Sequence, residues 1–581
     1  MQVNGERLLI SARAPRLDDY EAKLQFNERS FSIESGAASI LGTGVSFKSI
    51  PVDKGFGKVQ FKSVGPVREA LRFAKLESIA NKFSGDTSLD GTLRFASGGY
   101  KLSLRSNLEG LDITLPAPLN KRQKDKWPTD LTITTNEAQQ RTMIVSMPNI
   151  GIGKFIHNED GLVSGAVNFG NTKIFERENR LTFGGDVQAI DLDGWKSILD
   201  GAAASQRRAN AIGISVDIKV DQLRFLSSIF DSVKIQGDAR DGQGSFFFNG
   251  TGVEGRVSRL QDAEYGQRIL ANFKSLKINS EKQSSFPEAT LVAKQNFPAV
   301  DAVVDNLIID GKEKGALTLR AYPEGSKWFV RELSTIGVDG TLTLSGVWDR
   351  SYDVPRVDYH VRFDVKDAGS FLKRVENTDM LLGGEGILEG EVGWNGGPFS
   401  VDYPTLRGDL RMIVKNGQFA KVKPGVANLI GLLSLQALPR RIVLDFRDVF
   451  SSGFSFDKIE SEIKIKDGVA STDLFVMTGV SAAVLLTGDI DFVRKEQDLE
   501  VFVTPDLSSA TAVIGAIAAS PVIGVATFVL QKLFGSPADR LATRRFRVTG
   551  AWDHPLVEKV AWGDGVSAPV SSPSKEKSGT R

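Results

Sequence analysis

Cysteine is absent from all 581 residues. That excludes disulfide staples, cysteine-ligated zinc, iron–sulfur clusters and thiol nucleophiles together, while leaving the compartment open. Histidine is nearly absent: His157, His360 and His554 are the only three, far apart in sequence. A histidine metal site lacks ligands, and a Ser-His-Asp triad would have to be built around a single ring. Net charge is also missing, with 72 Lys and Arg against 71 Asp and Glu. No global field draws the chain to nucleic acid. The strings G-x-x-x-x-G-K-[ST], H-E-x-x-H and G-x-S-x-G do not occur, so the common phosphate-cradling, zinc-protease and serine-hydrolase signatures are gone. The opening residues, Met1 to Arg7, carry charges and no apolar stretch of signal-peptide length.

Glycine and phenylalanine are abundant instead. There are 58 glycines, above the usual ~7%. The 35 phenylalanines outnumber 7 tryptophans and 7 tyrosines combined, which suits an interior without hydrogen-bond partners. The dominant signal has a period of two. Tyr359, Val361, Phe363 and Val365 alternate with Asp358, His360, Arg362 and Asp364. Ile214 to Val220, Ile463 with Ile465, and Leu499, Val501 with Val503 repeat the pattern, separated by turn formers such as Lys466-Asp467-Gly468. This predicts a mainly β chain, a many-stranded antiparallel meander with one apolar and one wet face. Short helices are expected near 66–82, 191–210 and 367–375, too few to cover that apolar face. The cover must be a second sheet, closure on itself, or a ligand that is not protein. Two fragments, Leu342 to Asp349 and Phe546 to Asp553, share a Gly-x-Trp-Asp ending.

Other motifs are weaker. Gly250-Thr251-Gly252-Val253-Glu254-Gly255 fits the dinucleotide pattern, but no helix follows it, and a glycine-rich turn is the expected reading. The basic tract Lys121 to Lys126 reads as a loop. Carboxylates are plentiful, yet no pair can be nominated for glycoside hydrolysis. Leu507 to Gln531 carries no charge. Gly515, Pro521 and Gly524 interrupt it, so an apolar helical hairpin over 508–534 fits better than one span. Ile514, Ile517, Val522, Ile523, Val525, Phe528, Val529, Leu533 and Phe534 would be its membrane-contact residues. Arg540, Arg544 and Arg545 follow as candidates for lipid head groups. A buried hairpin capping the sheet remains the alternative.

The run Asn428 to Arg441, then Leu444 to Asp457, Gly468-Val469-Ala470, Gly488 to Asp491 and Val548 to Pro555, resembles the C-terminal region of YhdP-type proteins of the AsmA-like superfamily. Gly65 to Leu71, Leu108 to Leu111 and Leu115 to Leu119 resemble the middle part of the same family. The resemblance implies a long β-sheet bent into an apolar groove that carries phospholipid between the inner and outer membranes of Gram-negative bacteria, in the periplasm. It divides the chain into a repeating groove region (1–424), a C-terminal region (425–562) with a helix over 425–438 and the 508–534 hairpin, and a disordered tail (563–581). Family members carry an N-terminal membrane anchor. None is visible here, so the chain is expected to be a fragment or half of a split gene, its inner-membrane partner supplied by another polypeptide.

On this reading Tyr359, Val361, Phe363, Val365, Ile463, Ile465, Leu499, Val501 and Val503 line the groove. No catalysis, cofactor, metal or nucleic-acid partner is expected. Phospholipids and the membrane surface are the partners. The competing readings are a structural β-solenoid or scaffold of the cell envelope, whose apolar face protein would cover, and a carbohydrate-active enzyme with a close carboxylate pair.

Overall fold

The computed structural model describes residues 1–9, 15–26, 31–50, 57–74, 76–96, 99–136, 140–159, 161–170, 176–203, 212–279, 297–376, 381–419, 454–480, 482–505, 543–552 and 554–560. The chain is mainly β, with few helices, and divides into two compact units. One holds residues 1–285 and 300–313, the other 286–299 and 314–581. The expected helix 425–438, the hairpin 508–534, Arg540 and the tail 563–581 lie outside the described residues. Among those described, no helix is long and apolar enough to cross a membrane.

In the first unit each strand pairs antiparallel with its neighbour in sequence from Gln2–Leu8 to Gly161–Phe169, apart from one excursion. Hairpins set this order, because two-residue turns join antiparallel strands. The order then departs from the expected all-antiparallel meander. Gly161–Phe169, Arg180–Asp191 and Gly213–Phe225 run parallel. The helix Leu192–Ala203 lies between the last two, the crossover that parallel pairing requires. Antiparallel pairing resumes through Gly266–Ile278. The dinucleotide-like string is one of these turns: Gly252, with φ +82°, joins Gln243–Thr251 to Val253–Asp262.

The predicted helix at 66–82 is two short ones, Val67–Phe73 and Glu77–Ala80. Val67 and Ile79 both pack on Leu111, Ile113 and Leu115. Twelve residues apart, they would sit about 120° apart around a straight helix, so the helix breaks to serve one core. Trp195 joins that core and donates its indole N–H to the Ala117 carbonyl at 2.8 Å. Lys121, expected in a solvated loop, is buried here instead, and its ammonium donates to the carbonyls of Leu111 and Arg122.

In the second unit, strands Lys312–Glu324 to Leu556–Val560 pair antiparallel in sequence order. The helix Ala368–Glu376 begins at Asp367, which accepts the backbone N–H of Ser370 at 2.9 Å. Its Phe371 meets Phe363 with ring centroids 4.8 Å apart.

Candidate functional site: an apolar face held open

Residues directly opposite across antiparallel strands point to the same side, so register converts the period-two signal into rows crossing the sheet. In the first unit one row runs Val3, Ala22, Gly36, Phe47, Phe61, Gly91, Leu104, Leu131, Val145. It is apolar throughout. Phe47, Phe61, Leu104, Leu131 and Val145 are half-buried, unlike the side chains of an ordinary sheet core. Apolar side chains thus stay partly open along this row over many strands.

The opposite face is charged and paired. Lys62 meets Asp90 at 3.2 Å, Arg105 meets Asp130 at 2.8 Å and Lys274 meets Glu254 at 3.3 Å. The second unit continues the theme with Arg320–Glu332 at 3.1 Å, Arg362–Glu389 at 2.6 Å and Arg547–Asp498 at 2.9 Å. Exposed pairs of this kind contribute about 0–1 kcal/mol each. Their larger effect is on register, since a one-residue slip would send the charges to the apolar side.

All nine sequence-nominated groove residues lie on one face of the second unit. Phe363 and Val501 share the row Leu342, Phe363, Leu388, Met412, Ser461, Phe475, Leu486, Val501, Phe546. Val365 and Val503 share the next, through Gly386, Val414, Ile459, Met477 and Val484. Val361 reaches Ile463 through Gly390 and Leu410 on the other side. Tyr359 reaches Ile465 through Val392 and Gly408. Leu499 stands two residues from Val501.

Their surroundings differ. Val361, Phe363, Val365 and Ile463 are half-buried, as are Leu342, Leu344, Leu388, Leu410 and Met412 around them. From Phe454–Lys466 onward the face closes. Leu499, Val501 and Val503 are at most 4% exposed and belong to one core with Phe456, Met477 and Phe546. There the reverse side is buried too, at Ala483, Leu485 and Phe502. Arg545, proposed for head groups, is among these reverse-side residues and is bound to Glu500 at 2.6 Å. Arg544 is half-buried.

One margin is hemmed by tryptophans that sequence periodicity did not nominate. Trp328, Trp348, Trp394 and Trp552 are buried, and each indole donates to a backbone carbonyl: Pro298 at 3.1 Å, Gly396 at 2.8 Å, Gly397 at 2.9 Å and Glu496 at 3.2 Å. The repeated Gly-x-Trp-Asp ending is thus a margin device, with Trp348 and Trp552 in equivalent roles. Tyr359 donates to the Pro398 carbonyl at 3.2 Å beside them, and burial pushes its phenol pKa up.

Gln497 is the exception on this face. Two residues before Leu499, it is 5% exposed, and neither amide atom has a hydrogen-bond partner. An orphaned buried amide costs about 1–3 kcal/mol. Gln497→Leu is therefore expected to raise the denaturation midpoint, by an amount matching about 1 kcal/mol or more. A lowered midpoint in a urea titration would show that the amide is satisfied.

In each unit a sheet with one ion-paired face and one apolar face, half-covered over many of its strands, defines a class of β protein that presents hydrocarbon surface. The family model described as YhdP protein matches residues 1–557, and the chain belongs to that family. The chain is similar to the intermembrane phospholipid transporter YhdP of Escherichia coli (strain K12), 33% identical over 185 residues. The match spans 32% of this chain and 14% of that protein's length. No solved structure matches.

Proposed function

We propose that the chain carries phospholipid between the inner and outer membranes of a Gram-negative cell envelope, acyl tails sliding along the apolar face and no bond made or broken. The observation that carries this reading is the half-buried apolar row of the first unit; the second unit has its own, from Leu342 to Met412. Similarity to the Escherichia coli intermembrane phospholipid transporter supports the cargo and the envelope location. Two 16-carbon tails hold about 30 methylenes, and exposing them to water costs about 0.8 kcal/mol each, roughly 24 kcal/mol per lipid. A continuous apolar strip removes most of that barrier, and alternation provides one without any single indispensable side chain. Val361, Phe363, Val365 and Ile463 would touch tails directly. Tyr359, Ile465, Leu499, Val501 and Val503 would form the firmer end of the same face. Membrane contact belongs, on this reading, to 508–534 and Arg540, with Arg544 beside them.

Native mass spectrometry of the purified chain tests this. Phospholipid released on activation, and transfer of fluorescent phospholipid between donor and acceptor vesicles, are the expected results. Repeated lipid-free preparations without transfer would overturn it. A scaffold role finds its support in the closed segments, from Phe454 onward and around Val220, Leu223, Val233 and Val253, and it predicts that outcome.

A further inference from the structure

Phe47 and Phe61 sit opposite one another on neighbouring strands in the middle of the first unit's open row. Each ring leans away from the other. Phe47 lies over Gly36 on the strand beyond, and Phe61 lies over Gly91, so that a methyl group added at either glycine would collide with ring atoms. Tyr20 lies over Gly5 in the same manner. Neither Gly36 nor Gly91 has a positive φ, so backbone conformation does not demand glycine there. The space does. Rings laid across glycines form shielded cross-strand pairs, and they present flat faces where upright rings would stand as ridges.

Building on the lipid-carrying reading, we infer that Gly36 and Gly91 set the depth of the lipid path: they let Phe47 and Phe61 lie flat, and the tails pass over the ring faces. A β-carbon at Gly91 forces the Phe61 ring up from the floor, into the space a tail would occupy. A smaller side chain at 61 should then relieve the block. This couples two residues on adjacent strands through clearance alone, with no hydrogen bond or charge involved.

The test uses the whole 581-residue chain in three forms: wild type, Gly91→Ala, and Gly91→Ala with Phe61→Leu. The measurements are phosphatidylethanolamine transfer between vesicles and thermal denaturation. Wild type should transfer lipid, Gly91→Ala should transfer it about fivefold or more slowly, and the double variant should return to within about twofold of wild type. Rescue identifies clearance when the denaturation midpoint of Gly91→Ala stays close to wild type, because a folding defect from the same clash would lower that midpoint; a midpoint that falls and recovers in step with transfer overturns the inference. Unchanged transfer in Gly91→Ala overturns the inference and leaves the lipid-carrying reading standing. So does a slowed single variant that Phe61→Leu fails to rescue. A wild-type chain that neither binds nor transfers phospholipid overturns the reading itself, and the inference with it.

Discussion

Val361→Asp is expected to yield a folded chain whose bound phospholipid falls about tenfold or more. The side chain is half-buried, in the row linking Leu344, Val361, Gly390 and Leu410. A carboxylate there keeps part of its water, so the fold loses little. A methylene sliding over it must strip that water, and leaving a buried polar group uncompensated costs about 2–7 kcal/mol. Each 1.4 kcal/mol is tenfold in occupancy. Native mass spectra read the occupancy, and a denaturation midpoint close to wild type checks the fold. Wild-type occupancy in the variant would mean that tails do not run over Val361.

The same substitution at Val501 should act on a different quantity. Val501 is 4% exposed and packed in the core with Phe456, Met477 and Phe546. Of the cations nearby in register, Arg545 and Arg547 project to the other side, where Glu500 and Asp498 already bind them, and half-buried Arg544 faces Val503 on Val501's own side. A carboxylate buried in this core and not reached by Arg544 costs about 3–5 kcal/mol at pH 7. Its folded-state pKa is raised above the unfolded value near 3.9. Stability is therefore closest to wild type below that value and is lost as pH rises through the folded pKa. Urea midpoints at pH 4.5 and pH 7 should move apart for Val501→Asp and together for wild type. Parallel curves would place Val501 in contact with water or a cation.

The contrast between these two valines marks what the sequence could and could not convey. Both sit in identical alternation, which marks the apolar side of each strand; that all nine nominated residues share one face follows from the register. The family resemblance supplied the cargo. Burial was not legible, because it depends on what lies over the sheet. Nothing around Val501 distinguishes it from Val361 until their neighbours across several strands are known. The glycines were visible only as turn formers. That Gly36 and Gly91 lie beneath rings requires the register of four strands, which no local window contains. The tryptophan hem had a trace, the repeated Gly-x-Trp-Asp ending, but its meaning lies in carbonyls such as that of Gly396, 48 residues from Trp348. Lys121 misled because its charge suggests solvent, whereas the carbonyls of Leu111 and Arg122 hold it. The split of the 66–82 helix followed from a core at Leu111–Leu115 that sequence patterning did not reveal.

Strand pairing runs almost wholly between sequence neighbours, and this carries a consequence for how such a molecule can change size. A structure whose stability is a sum of adjoining interfaces tolerates growth by duplication, as solenoids do. One added hairpin would widen the sheet by about 10 Å across its strands. Sheet width is thus a heritable variable, adjustable in increments of two strands.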